Sequence, residues 1–146
     1  MNATDECIDV CNSLLRGELS AVETYQQAME KFRDQPEFSS LQQIRADHQD
    51  SVTALRNHLA EMGAEASTDS GAWGGFAKAV EGSAKLLGES PALAALSAGE
   101  EHGINEYKSA LENPDVMDDI KGVIRTRLLP ALDRHVTVLE GLRNRR

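Results

Sequence analysis

Four segments of the chain place apolar residues in alternating steps of three and four, and this rhythm constrains the fold more than any other feature. The first two stripes comprise Cys11, Leu15, Glu18, Val22, Tyr25, Met29 and Phe32, then Leu41, Ile44, His48, Val52, Leu55, Leu59 and Met62. The last two comprise Leu93, Leu96, Glu100, Gly103, Tyr107 and Ala110, then Ile124, Leu128, Ala131, His135, Val138 and Leu142. Because these steps average close to the period of an α-helix, each segment predicts a helix with one face in a core.

Turn-forming residues separate the four helices into two pairs. Asp34, Gln35 and Pro36 break the pattern after the first helix, and Asn113-Pro114 breaks it after the third. The connection inside each pair is therefore short, which is typical of helices that pack as antiparallel neighbours.

The connection between the pairs is much longer, at about 27 residues. It begins at Gly63, a predicted C-cap, and ends near Ser90-Pro91, where the third helix is expected to start. Its middle predicts a short helix with the apolar residues Trp73, Phe76, Val80, Ala84 and Leu87. A single long crossover is typical of ferritin-like bundles. We therefore predict an all-α fold, a ferritin-like four-helix bundle with one long crossover carrying a short extra helix, as a single domain over residues 1–146.

Charge and hydropathy argue against two classes of partner. The formal net charge is −9, so the basic face that a nucleic-acid partner requires is not expected. No apolar stretch approaches the roughly 18 residues of a membrane span, so no membrane partner is expected. The acidic start of the chain shows no export signal, so a cytoplasmic location is expected.

Cys7 and Cys11, four residues apart on one predicted helix, suit reduced thiols better than a disulfide.

Each apolar stripe is interrupted near its middle by one ionisable residue. The four residues are Glu18, His48, Glu100 and His135. An unpaired carboxylate in a core costs several kcal/mol, so a bundle with four such residues needs partners for them. These side chains are therefore predicted either to bind a metal ion together or to satisfy one another.

The two halves of the chain repeat one design. Gly17-Glu18 is followed by Tyr25 and Ala28, and Gly99-Glu100 is followed by Tyr107 and Ala110, with 82 residues separating equivalent positions. His48 and His135 each come one helix later. Two helix pairs of the same design are what a pseudo-symmetric metal site leaves in a sequence.

These motifs resemble the ferritin and rubrerythrin superfamily, and most closely its small uncharacterised bacterial members, known mostly as a domain of unknown function. In that superfamily a glutamate from each of two helices and a Glu-x-x-His motif from each of the other two bind two metal ions. The resemblance covers nearly the whole chain. It implies that Glu18, His48, Glu100 and His135 are metal ligands.

The chain departs from the superfamily at both bridging positions. Arg45 stands three residues before His48 and Leu132 three before His135, where the superfamily has glutamates. Without bridging carboxylates two divalent ions would repel each other, so a di-iron oxidase is not expected. One iron, zinc or manganese ion is one expectation. A metal-free cluster, in which Arg45 pairs with Glu18 or Glu100, is the other. Nearby residues that are candidate substitute ligands are Asp47, Glu101, His102 and Asp133.

Three functional hypotheses remain open at this point. The chain is a metal-binding bundle concerned with metal or oxidative stress, a metal-free structural or interaction protein that has lost di-iron chemistry, or an enzyme that reacts with oxygen or peroxide. The sequence does not fix a protein partner, and it leaves a homo-oligomer open.

Two structural details can be predicted from the fourth helix. Pro130 lies inside it and predicts a local kink. If Glu100 and His135 lie in one layer of an antiparallel pair, the turn between their helices must be centred well beyond Asn113-Pro114. A wide connection from about residue 113 to 118, or a short irregular turn there, is therefore expected.

Overall fold

The computed structural model describes residues 3–69 and 89–145, and over these residues all regular structure is helical. Helix α1 spans Ala3–Lys31, α2 spans Phe38–Glu61 and α3 spans Glu89–Glu112. The last helix, α4, has three consecutive parts, Asp118–Val123, a π-helical turn at Ile124–Leu128, and Leu129–Asn144.

The predicted all-α four-helix bundle is confirmed. Helix α1 packs mainly against α2, and α3 packs mainly against α4, so the two pairs seen in the sequence are also the two closest pairs in space. The pairs then meet chiefly where α1 lies against α3. None of the described helices combines the length and the apolar character needed to cross a membrane.

The chain turns where the sequence predicted. Residues 32–37 separate α1 from α2, and residues 113–117 separate α3 from α4, which confirms the wide second connection. Gly63 adopts a positive φ of 70° after α2, and the amide of Ala64 donates to the carbonyl of Leu59 across it. This arrangement is a Schellman C-cap, in which glycine avoids the steric penalty of the left-handed conformation.

Three other predictions need correction or fall outside the described residues. Thr4 is a residue type favoured at N-caps and is followed by Asp5 and Glu6, which predicts that the first helix starts after residue 4, but α1 already begins at Ala3. Pro130 was expected to kink the fourth helix, and the helix has a π-helical turn that ends two residues before the proline, which cannot donate the amide hydrogen bond of a regular helix. The predicted crossover helix, with Trp73 and Phe76, lies outside the described residues.

The apolar core has two parts, with ionisable residues between them. One part contains Cys7, Cys11, Leu14, Leu15, Val52, Leu55, Leu59, Tyr107, Val116, Ile120, Ile124, Leu128 and Leu132. The other contains Tyr25, Met29, Phe32, Leu41, Ile44, Leu93, Leu96, Leu139 and Leu142. On every helix, the predicted ionisable residue lies in sequence between the residues that the helix contributes to one part of the core and those that it contributes to the other. The bundle therefore has a polar layer across the middle of its core.

Candidate metal centre

His48 lies at the middle of the polar layer and contacts a carboxylate with each ring nitrogen. Its Nδ1 is 2.5 Å from Oε2 of Glu18, and its Nε2 is 2.7 Å from Oε1 of Glu100. All three side chains are buried. A neutral imidazole has only one N–H, so donation to both ionised carboxylates requires the charged form of the ring, with a proton on each nitrogen.

Each tyrosine of the repeat forms a hydrogen bond with the glutamate of the other half of the chain. The hydroxyl of Tyr25 donates to Oε1 of Glu100 at 2.8 Å, and the hydroxyl of Tyr107 donates to Oε1 of Glu18 at 2.7 Å. Each half of the chain thus supplies the tyrosine that fixes the glutamate of the other half. Tyr25 also stacks on the His48 ring, with 5.4 Å between the ring centroids.

His135 completes the layer from α4 and brings in a further carboxylate. Its Nδ1 is 3.1 Å from Oε1 of Glu100, and its Nε2 is 2.8 Å from Oδ2 of Asp47. The other oxygen of Asp47 accepts a hydrogen bond of 3.1 Å from Gln43, which orients the carboxylate. Asp47 is partly exposed, so the polar layer reaches the surface on this side.

The two oxygens of Glu100 have very different surroundings. Oε1 is contacted by Tyr25, His48 and His135, whereas Oε2 is buried and has no hydrogen-bond partner among the described residues. A buried carboxylate oxygen without a partner is costly. Three carboxylates face two histidines here, so the layer keeps a net negative charge even when both rings are protonated.

The charges in the layer shift the pKa values of their neighbours. Burial alone would lower the pKa of His48, but the carboxylates of Glu18 and Glu100 outweigh it and raise that pKa to about 10. Burial alone would raise the pKa of Glu100, but His48 and His135 outweigh it and lower that pKa to about 2. Burial and the adjacent carboxylates raise the pKa values of Tyr25 and Tyr107 well above 10.

A cavity of about 50 Å³ leads to this layer between α1 and α3. Its walls include Gly17, Gly99 and Gly103, and Glu18 and Glu100 line it as well. Such a volume holds about three water molecules. At Gly103 a Cβ atom would stand 3.0 Å from Cδ1 of Leu132, so a larger residue at this position would require the leucine side chain to shift.

Comparison with known proteins places most of this architecture in one family. The family model of a domain of unknown function, DUF2383, matches residues 6–113, well over half of the chain. The chain belongs to the DUF2383 family. The matched segment includes Glu18, His48 and Glu100, whereas His135 follows it on α4. No curated protein and no solved structure matches the chain.

The structure brings together all four candidate residues that the sequence of this DUF2383 member indicated. Within the described residues, the ligand atoms of His48, Glu100 and His135 lie within 4.8 Å of one another, as a group that could hold a metal ion. Glu18 is joined to the group through His48. Asp47 was only a secondary candidate because helical spacing turns it away from the apolar stripe, yet its side chain reaches His135. Glu101, His102 and Asp133 are exposed.

Arg45 and Leu132, the two residues that stand where ferritin-like proteins have bridging glutamates, take part in none of the ion pairs found among the described residues of this DUF2383 chain. Arg45 was expected to pair with Glu18 or Glu100 in a metal-free cluster, and this expectation is wrong for the part of the chain that the structure describes. Histidine and tyrosine atoms contact those glutamates instead. Leu132 is a buried member of the apolar core.

The cysteines of this DUF2383 chain are core residues. Both thiols are free and buried. Burial, followed by the neighbouring Cys7, raises the pKa of Cys11 to about 12. A reactive cysteine needs an accessible thiolate, so the environment of Cys11 is that of a packing residue.

Proposed function

We propose that the chain is a ferritin-like bundle whose polar layer binds one divalent transition-metal ion, iron, zinc or manganese, in metal handling or in the response to oxidative stress. The observation that supports this proposal most strongly is the excess of carboxylates over histidines in the layer. Glu100 has a buried oxygen with no hydrogen-bond partner among the described residues, and three carboxylates face two histidines. A divalent cation would supply the missing charge.

The ligand chemistry supports a transition metal over calcium or magnesium. His48, Glu100 and His135 offer two imidazole nitrogens and one carboxylate oxygen, a set that suits zinc, iron and manganese. Glu18 and Asp47 each contact one of the two histidines. Such outer contacts hold the rings in a ligating orientation and raise ligand affinity in known metal sites.

The same chemistry favours one ion over two. A second ion would need bridging carboxylates, and the bridging positions hold Arg45 and the buried Leu132. We therefore propose no di-iron oxidase reaction. When bound, a single ion would supply Lewis acidity and positive charge at the inner end of the cavity between α1 and α3.

Metal would compete with protons for this site. His48 Nε2 and Glu100 Oε1 are 2.7 Å apart, whereas two ligands on a tetrahedral ion with ~2.0 Å bonds stand about 3.3 Å apart. The proton between these atoms must leave and the atoms must separate before both can be ligands. Because metal-binding histidine is neutral, affinity is expected to rise with pH.

The short distances also favour a second candidate function, a metal-free structural or interaction bundle. Contacts of 2.5 and 2.7 Å around His48 are the lengths of charge-assisted hydrogen bonds. In that case the layer fixes the register of the four helices, as buried polar groups do in some bundles.

Metal content of variants decides between the two functions. The chain would be produced without a histidine tag and analysed for iron, zinc and manganese, beside Glu100→Gln and the matched control Glu101→Gln. Glu100 is buried in the layer, while Glu101 is its exposed neighbour on α3. We expect Glu100→Gln to bind one ion fewer per chain and Glu101→Gln to match the parent. Equal metal content in the parent and Glu100→Gln contradicts the metal function and leaves the structural one.

A further inference from the structure

A second group of metal-binding side chains lies where α2 ends and α4 begins. His58 and Glu61 belong to α2, and Asp119 belongs to the first turn of α4. One ligand atom from each of the three lies within 4.8 Å of the others. His58 and Glu61 are three residues apart, so they occupy one face of the helix. This group is separate in sequence and space from the polar layer of the core, since apolar residues such as Leu55 intervene on α2.

The spacing of these atoms differs from that in the polar layer. Nδ1 of His58 is 3.7 Å from Oε2 of Glu61 and 3.9 Å from Oδ2 of Asp119. These distances exceed a hydrogen bond, whose upper limit is ~3.2 Å. They lie close to the ~3.3 Å between two ligands of a tetrahedral ion with ~2.0 Å bonds. Small rotations of the exposed Glu61 and Asp119 side chains would bring their carboxylate oxygens to this distance from His58.

A cavity of about 140 Å³ adjoins the three ligands. Besides His58, Glu61 and Asp119, its walls contain the sulfur-bearing residues Cys7, Met62 and Met117. The volume leaves a coordination position open for water or another ligand. Sulfur-bearing residues beside a site suit thiophilic transition metals better than calcium or magnesium.

The local electrostatics also favour a cation. Two carboxylates face one histidine, and His58 and Glu61 lie in the last turn of α2, at the partially negative end of the helix dipole. The amide of Ile120 donates to Oδ1 of Asp119 at 2.8 Å, so the side chain is oriented with Oδ2 toward His58. Oriented carboxylates of this kind are common features of metal sites.

We propose that His58, Glu61 and Asp119 form a second, surface-accessible site for a zinc-sized divalent transition-metal ion. The imidazole nitrogen and two carboxylate oxygens are its protein ligands, and the adjoining cavity provides the remaining coordination position. This site joins the end of α2 to the start of α4, so a bound ion links the two helix pairs at that end of the bundle.

The proposal can be tested by zinc titration of the full chain after treatment with a chelator. Isothermal calorimetry would compare the parent with His58→Ala and with the isosteric Asp119→Asn. We expect His58→Ala to remove one zinc ion per chain and Asp119→Asn to weaken the same site at least tenfold. Calcium and magnesium at the same concentration should not displace the zinc.

A control histidine is available on α3. His102 is 3.7 Å from Glu106, the same separation as in the His58 and Glu61 pair, and it belongs to neither of the two groups of possible metal ligands found among the described residues. His102→Ala should therefore bind zinc as the parent does. Zinc stoichiometry and affinity unchanged in both His58→Ala and Asp119→Asn would overturn the proposal. Glu100→Gln reports separately on the polar layer, so the failure of one site is distinguishable from the failure of the other.

Discussion

Tyr25 of α1 donates its hydroxyl hydrogen bond to Glu100 of α3, the glutamate that belongs to the opposite half of the repeat. Tyr107 makes the reciprocal bond to Glu18. The two bonds cross the interface where the helix pairs meet, so the internal repeat of the sequence has a direct structural consequence. Each half depends on the other to satisfy its buried carboxylate, which favours assembly of the whole polar layer over either helix pair alone.

The tyrosines should resist ionisation. The chain contains only two, and both are buried donors to carboxylates, which raises their pKa values well above 10. An ultraviolet titration of the folded protein should therefore show no tyrosinate absorbance near pH 10 to 11, and absorbance should appear only as circular dichroism reports unfolding. Reversible ionisation of either tyrosine at pH 10 in the folded state would contradict the described hydrogen bonds.

His48 and Arg45 should differ sharply in their contribution to stability. His48→Gln leaves the buried Glu18 and Glu100 without their shared cation, and breaking a buried ion pair in this way costs about 3–5 kcal/mol. Arg45→Ala removes a charge that pairs with neither glutamate, so it should cost about 1 kcal/mol or less. Urea denaturation of both variants measures the difference. Equal losses would mean that Arg45 compensates the glutamates in solution.

Stability of the metal-free protein should be greatest between about pH 4.5 and 6.5. The pKa of His48 rises from 6.5 to about 10 on folding, so its stabilisation is complete below pH 6.5 and is lost as the pH rises toward 10. The pKa of Glu100 falls from 4.5 to about 2, so its stabilisation is present above pH 4.5 and is lost as the pH falls toward 2.

Urea denaturation in the presence of a chelator, repeated across this pH range, measures both effects. His48→Gln is the control, since it should abolish most of the loss between pH 6.5 and 10. A parent protein that gains stability over that interval would show that His48 is not held as a cation in the folded state.

Restoring both bridging carboxylates tests the resemblance to ferritin-like proteins. The double variant Arg45→Glu, Leu132→Glu carries two Glu-x-x-His motifs. One lies at positions 45–48 and ends at His48, and the other lies at positions 132–135 and ends at His135. The additional buried carboxylates should lower the melting temperature of the metal-free protein, because they cannot all ionise together. Ferrous iron should then raise it steeply, at about two ions per chain. A double variant with no iron-dependent gain would contradict the shared metal layer.

Much of the fold could be predicted because local signals agreed with one another. The apolar stripes, the breaks at residues 34–36 and 113–114, and the glycine at position 63 all depend on neighbouring residues and appear in the structure. The four ionisable residues could be assigned to one layer because each interrupts a stripe at its middle, where only a shared partner makes a buried charge tolerable.

The remaining features depend on side-chain reach and on contacts between distant segments. Asp47 lies one position away from the stripe residue His48, and only its rotamer brings the carboxylate to His135. The orientation of the Arg45 side chain could not be inferred from its position three residues before His48. The His58 group joins the end of one helix to the start of another, and no periodicity in the sequence relates Glu61 to Asp119.

Anomalous diffraction from crystals grown with zinc tests the central claim, a single ion in the polar layer, most directly. We expect one anomalous peak in the core, about 2.0–2.2 Å from ligand atoms of His48, Glu100 and His135. His48 Nε2 and Glu100 Oε1 should then be farther apart than their present 2.7 Å. A core without an anomalous peak at saturating zinc, with those two atoms still in hydrogen-bond contact, would contradict the claim and identify the layer as a metal-free network.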